Sequence, residues 1–187
     1  MADGTLKVGT ITTSSGSGTI TLGQSGETVT IPSGATVAGA MANTPAFEAT
    51  LSSDQTVANN TFVKAAIGTE VFDTDGCYDT STYRFTPTVG GKYFIYASIA
   101  CETDSSQFQV SNVAIYKNGS IYAKRIVDPR ANPGLLFSID ISSTLDMNGS
   151  SDYVEIYLKI YKTGGTNIKA SSGDRASNFG AYRIIGA

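Results

Sequence analysis

The residues best suited to chemistry stand in one short run, Asp73-Thr74-Asp75-Gly76-Cys77-Tyr78-Asp79, with a second thiol at Cys101. Alternating carboxylates around a glycine offer hard oxygen ligands in a tight turn, a pattern that wraps calcium, although the run lacks a twelve-residue loop closed by Glu. Asp73, Asp75 and Asp79 serve equally well as turn caps that accept hydrogen bonds from backbone amides. Used as a glycosidase acid and base they need a carbohydrate cleft, and the chain has no tryptophan to floor one. Histidine is absent, which removes Ser-His-Asp and Cys-His catalysis and imidazole metal ligation. No catalytic, cofactor-binding or metal-binding residue is assigned, and the chain reads as a non-enzyme.

Cys77 and Cys101 read first as two buried thiols, with a disulfide between them left open. Two thiols without histidine underfill a tetrahedral zinc site. Gly16-Ser17-Gly18 is not a phosphate loop, because no helix and no Gly-Lys-Ser/Thr follows it. Asn59-Asn60-Thr61, Asn118-Gly119-Ser120 and Asn148-Gly149-Ser150 match the glycosylation acceptor pattern. The start of the chain lacks the basic and apolar regions of a secretory signal, so these triplets read as turns.

The 187 residues suffice for one ordinary core plus an appendage. Charged residues make up 16%, the net charge is -3, and the 13 Lys and Arg are scattered singly, so nucleic acid is a poor partner. No apolar run nears the roughly 20 residues that span a bilayer as a helix, which argues against membrane insertion.

Two segments follow different rules. Between Val8 and Val37, Thr-Ile and Thr-Val pairs place Ile11, Ile20, Val29 and Val37 at intervals of nine, nine and eight residues. Each unit predicts a short β-branched strand followed by a Gly/Ser turn. One copy cannot build a core from such small units, so residues 1–44 are expected to form a repetitive β arm or shaft that pairs with other copies, or else a flexible leader. Aromatic residues begin at Phe47 and end at Tyr182, which places the large core side chains in residues 45–187. Alternation and turn signals there predict strands over 47–52, 61–67, 83–87, 92–102, 110–117, 120–126, 135–145, 153–161 and 180–185. Asn118-Gly119 between two alternating runs marks a hairpin. Val154, Ile156, Leu158 and Ile160 form the core face of one strand, whereas Tyr153, Tyr157 and Tyr161 line its other face and are expected at a subunit contact. Tyr78 and Phe85 are expected in the core. The fold class is all-β, a jelly-roll sandwich.

Four stretches carry a family resemblance: Pro45-Ala46-Phe47-Glu48-Ala49, Gly76 to Asp79 with Phe85 to Tyr96, Val113 to Gly119, and Ala176 to Tyr182. From Pro45 to the C-terminus the chain resembles the globular head shared by complement component 1q and tumour necrosis factor, in the version found in marine bacteriophage proteins. The resemblance implies a ten-stranded jelly roll, a tight homotrimer, no catalytic residues, and ligand binding through loops and the exposed trimer surface. The repeats stand where a collagen-like stalk belongs, which resembles phage fibre proteins.

The expected function is therefore a virion structural protein, a trimeric fibre or fibre tip that binds a host surface glycan or protein and joins other virion proteins through its arm. A capsid decoration protein and a secreted adhesin head are the alternatives. The turn-rich segments Asp104 to Gln109, Asp128 to Pro133 and Lys162 to Asp174 are the expected binding loops.

Overall fold

A computed structural model of the chain describes residues 9–11, 19–35, 43–103, 108–131, 134–163, 168–170 and 172–185. The chain divides into two units, Met1–Val37 and Ala38–Ala187.

In the first unit the described residues hold two turns, placed where the repeat predicts them. Glu27 N–H donates to Gln24 O at 3.0 Å, and Ala35 N–H donates to Pro32 O at 3.1 Å. Gly26 and Gly34, both at φ 91, occupy the third position of their turns, where a left-handed backbone favours glycine. The expected strands are not formed among the described arm residues. A ladder needs a second chain segment, and Ile20, Leu22, Val29 and Ile31 are all exposed. Val37 lies outside the described residues.

The second unit contains β1 (Ala46–Thr50), β2 (Gln55–Thr56), β3 (Val63–Lys64), β4 (Thr69–Asp73), β5 (Tyr78–Asp79), β6 (Arg84–Phe85) and β7 (Gly91–Thr103). It continues with β8 (Phe108–Lys117), β9 (Ser120–Val127), β10 (Leu136–Met147), β11 (Val154–Lys162), β12 (Ile168–Ala170) and β13 (Asn178–Arg183). Seven strands form one antiparallel sheet, in which β10 lies on one edge of β7 while β13, β1 and β4 follow on the other. β12 pairs with β7 beyond the end of β13, with β2 outside it. The other sheet runs β9, β8, β11, with β3 and the β5–β6 pair against the far edge of β11. From β7 onward the chain changes sheet between β7 and β8, β9 and β10, β10 and β11, and β11 and β12, and it also crosses repeatedly among the short strands before β7, which is jelly-roll topology.

Alternation places the core between the sheets. Tyr93, Ile95, Ala97, Ile99 and Cys101 of β7 point inward and meet Val154, Ile156, Leu158 and Ile160 of β11 in one cluster. Phe47 centres an aromatic group, stacked on Tyr78 at 4.4 Å and Phe85 at 4.7 Å, with Phe179 edge-on at 4.8 Å. Tyr78 and Phe85 are core residues, as expected. The Tyr78 hydroxyl donates to Ile67 O at 2.5 Å, and burial raises its pKa well above the usual tyrosine range. Both cysteines are buried free thiols, so no disulfide joins them, and burial pushes the Cys101 thiol up to about 12.

The Asn118-Gly119 hairpin joins β8 and β9 with φ 52 and 78, the paired left-handed backbone of a type I′ turn. Four strands were not expected: β2, β4, β5 and β12. Three of them span only two or three residues, and β4 is an edge strand whose Thr69 to Phe72 are all exposed, so no apolar alternation marks it. Conversely, residues 61–67 form a strand only at Val63–Lys64.

Two constraints hold the periphery. Glu155 on β11 is 2% exposed, and its Oε1 accepts from Lys64 Nζ at 2.7 Å and from Arg84 Nη2 at 2.8 Å and Nε at 3.1 Å. Lys64 and Arg84 belong to β3 and β6, which pair with β11 through only two residues and one residue respectively. One buried carboxylate thus anchors two strands that their own ladders hold weakly. Just before β11, Asp152 accepts from Asn118 Nδ2 at 2.8 Å and Asn148 N–H at 3.0 Å and pairs with Lys117 at 2.9 Å. These partners, the Asn118 bond foremost, hold its pKa below the ordinary range. Gly149 between them has φ 72, and a Cβ there would lie 2.2 Å from Gly90 N.

Two stability outcomes follow, both read by chemical denaturation. Glu155→Ala should cost about 3 kcal/mol because it removes the shared acceptor of two cations, whereas Lys64→Ala should cost about 1 kcal/mol because Arg84 keeps its partner. Gly149→Ala should cost about 3 kcal/mol, since the added methyl meets backbone that cannot yield. Gly76→Ala, at φ 63 with open space around it, should lose only about 1 kcal/mol.

Candidate functional site

Outward-facing residues of β7 build the most distinctive surface of the second unit. Phe94 lies opposite Tyr182 of β13, and their rings are 5.4 Å apart. Tyr96, next on the same face, is 6.3 Å from Phe94 and pairs with Gly180 in register. Gly180 is required by this contact, because a Cβ there would come within 2.3 Å of the Tyr96 ring. The Tyr96 hydroxyl donates to Glu48 Oε2 at 2.8 Å, and Glu48 Oε1 lies 3.5 Å from Arg175. Burial, then the Glu48 bond, raises the Tyr96 pKa far above the ordinary value. Three aromatic rings therefore form a patch on the outer face of the larger sheet, with Tyr182 at 40% exposure.

Beside this face the edges of the two sheets meet at β9 and β10. Ile121, Tyr122 and Ile126 of β9 and Leu135 and Leu136 at the start of β10 are all exposed. Tyr122 reaches across to donate to Thr144 O at 3.1 Å. Between this edge and the aromatic face lies a cavity of about 530 Å³. Its polar lining comes from four strands: Tyr96 and Ser98 of β7, Lys124 and Arg125 of β9, Asp140 of β10 and Asn178 of β13. Ser98 is registered against Asp140 on one side and Asn178 on the other, which brings residues distant in sequence onto one wall.

The tyrosine row of β11 lies elsewhere and packs differently from the expected subunit contact. Tyr153 carries the Arg84 guanidinium 3.7 Å above its ring, and Tyr157 stacks on Tyr116 at 4.0 Å. Phe62 packs edge-on against Tyr116 at 6.0 Å and has the Lys159 ammonium 5.4 Å away. Of the three tyrosines only Tyr161 is exposed. Arg84 of β6 and Tyr116 of β8 therefore supply partners for Tyr153 and Tyr157 within the same chain.

Two of the three turn carboxylates, Asp73 and Asp79, are engaged as caps. Asp73 accepts from the backbone N–H of Tyr78 at 2.7 Å and of Asp75 at 3.3 Å. Asp79 accepts from the hydroxyls and amides of Ser81 and Thr82, and those bonds hold its pKa far below the ordinary carboxylate value. The three acceptor-pattern asparagines are likewise built in. Asn59 exchanges two 3.1 Å bonds with the backbone of Lys162, and the Asn118 side chain bonds Asp152 and Tyr153. The Asn148 carbonyl accepts three successive amides.

Of the expected binding loops, residues 104–107, 132–133, 164–167 and 171 lie outside the described residues. Asp128 is paired with Arg130. Lys162 is no surface residue: two positions beyond Ile160 it falls on the inward side of β11, where it is fully buried and donates to Thr103 Oγ1 at 2.9 Å.

No family model matches the chain, and no curated protein matches it. Solved structures do. The globular domain of zebrafish complement 1qA protein aligns with a TM-score of 0.53 at 12% identity, covering 75% of this chain and 98% of that one. Murine APRIL aligns with the same TM-score at 9% identity, covering 74% of this chain and 98% of the other. At such low identity the likeness is one of fold, and the two-sheet unit of this chain is a jelly roll of the complement component 1q and tumour necrosis factor type.

Proposed function

We propose that this chain is a trimeric attachment protein of a phage virion, a short fibre or fibre tip whose jelly-roll heads bind a host surface component. The observation that carries the reading is the aromatic patch of Phe94, Tyr96 and Tyr182 on one sheet face, with a separate exposed apolar edge at Ile121, Ile126 and Leu136. Two unlike surfaces on one subunit fit a head-to-tail contact, in which the edge of one copy lies on the face of the next. A threefold rotation closes that contact into a ring. The fold likeness supports the same assembly.

Trimerisation also accounts for the first unit. Ile20, Leu22, Val29 and Ile31 are too small a set to build a core within one chain, and two further copies supply the missing neighbours. Nothing in the described site calls for catalysis. Asp73 and Asp79 already cap backbone amides, and the Cys101 thiol is buried and weakly acidic. Attachment through surface recognition is the role that remains for a head presented in three copies, where avidity multiplies a modest single-site affinity.

In sedimentation velocity at micromolar concentration the full chain should run as a trimer. Phe94→Glu combined with Tyr182→Glu should shift it to a monomer that retains its β circular dichroism. A wild-type monomer would overturn the assembly. Fluorescently labelled trimer should stain host cells and compete with particles for adsorption, and unstained cells would refute attachment.

A further inference from the structure

One nearly buried amide is not used by the fold. Asn112 of β8 is 5% exposed, yet among the described residues no protein group hydrogen-bonds its side chain. An amide held from water without a partner costs stability, and a strand position of this kind readily takes an apolar residue instead. Its neighbours Ser111 and Val113 are fully buried toward the core, so Asn112 faces outward on the smaller sheet. There it stands between Lys159 of β11 and Ile126 of β9, each directly opposite it in register.

Lys159 makes no ion pair among the described residues, and its ammonium stands 5.4 Å from the centre of the Phe62 ring. Glu155 is the one carboxylate in the outward rows of β8 and β11, and Lys64 and Arg84 already share it. Asp79, opposite Arg84, is taken up by Ser81 and Thr82. The charge of Lys159 is therefore left uncompensated. Tyr157 and Tyr161 flank it on the same face, Tyr157 half-buried and Tyr161 exposed.

We propose that this outer face binds an acidic glycan, with a carboxylate on Lys159, hydroxyls on the Asn112 amide and sugar rings against Tyr157 and Tyr161. The assignment rests on the attachment reading and names the ligand class for it. Directly opposite residues on one face have Cβ atoms about 5 Å apart, so the ammonium and the amide converge on a single ligand unit. The amide donates from Nδ2 and accepts at Oδ1, which two sugar hydroxyls satisfy together. A bare anion would leave the amide oxygen unmet, and a neutral glycan would leave Lys159 unmatched. The tyrosines add apolar faces for the C–H side of the rings. The site is set back from the proposed trimer contact. Strand β11 lies on the side of Asn112 away from Ile126, and the aromatic face of Phe94 and Tyr96 belongs to the other sheet, so the ring closes without covering Lys159 or its tyrosines.

Titration calorimetry of the full chain against tetragalacturonate, a hyaluronan tetrasaccharide, maltotetraose and inorganic phosphate tests the assignment. At least one of the two uronate oligomers should bind at least tenfold more tightly than maltotetraose or phosphate, and rising salt should weaken it. Lys159→Ala should weaken that binding at least tenfold. Asn112→Val and Asn112→Ala should do the same, and at least one of them should unfold at or above the wild-type temperature, because each removes an amide that the fold leaves unpartnered. The proposal is overturned if neither uronate oligomer binds, if maltotetraose binds as well, if the Lys159 and Asn112 variants bind unchanged, or if both Asn112 variants lose thermal stability, which would assign the amide to the fold. Cell staining by the wild-type trimer keeps the two readings separable. Staining without uronate binding removes only this site, and uronate binding without staining removes only the attachment role.

Discussion

Strand β7 has to satisfy two faces and two edges at once, and most of the fold follows from how it does so. Along one edge it pairs with β10 in unbroken register from Gly91 to Glu102. Its other edge is divided between β13 and β12. Inward, Tyr93, Ile95, Ile99 and Cys101 are completely buried. Outward, Phe94 and Tyr96 stand on a face that the subunit leaves uncovered. Because successive side chains point to opposite sides, a slip of one residue would exchange these sets, burying Lys92 and exposing Ile95. The core and the aromatic patch are therefore fixed by the same register.

The two outer faces of the sandwich are handled in opposite ways. On the smaller sheet, β11 places a carboxylate and tyrosines outward, and the chain covers them with its own Arg84, Lys64, Tyr116 and Phe62. The larger sheet keeps three aromatic rings at its surface beside a cavity lined in part by Lys124, Arg125 and Asp140. Aromatic area left at a surface favours a partner, and this asymmetry places that area on one side of the head.

The sequence made the parity of long strands legible, and it left hidden what lies over each face. Val154 to Tyr161 alternates cleanly, so both its core side and its outward tyrosines could be assigned. Arg84 and Tyr116, which cover those tyrosines, come from strands distant in sequence, and so the row looked like an interface. The hairpin at Asn118-Gly119 was readable because its left-handed backbone demands a specific residue pair. Strand β4 was not, since an exposed edge strand imposes little alternation. The cavity had no local signature at all: Lys124, Asp140 and Asn178 meet only through the pairing of β10 and β13 with β7. Lys162 was misplaced because a lysine gives no apolar signal, although it continues the inward alternation of Val154 to Ile160.

The two unlinked cysteines have a further consequence. Cys77 and Cys101 are held apart as buried thiols in a fold that needs neither as a cross-link. Its covalent structure is then the same under a reducing glutathione poise as in oxidising surroundings. The head needs no oxidation step to reach its final covalent state, so its durability rests on packing and hydrogen bonding instead of on disulfide chemistry.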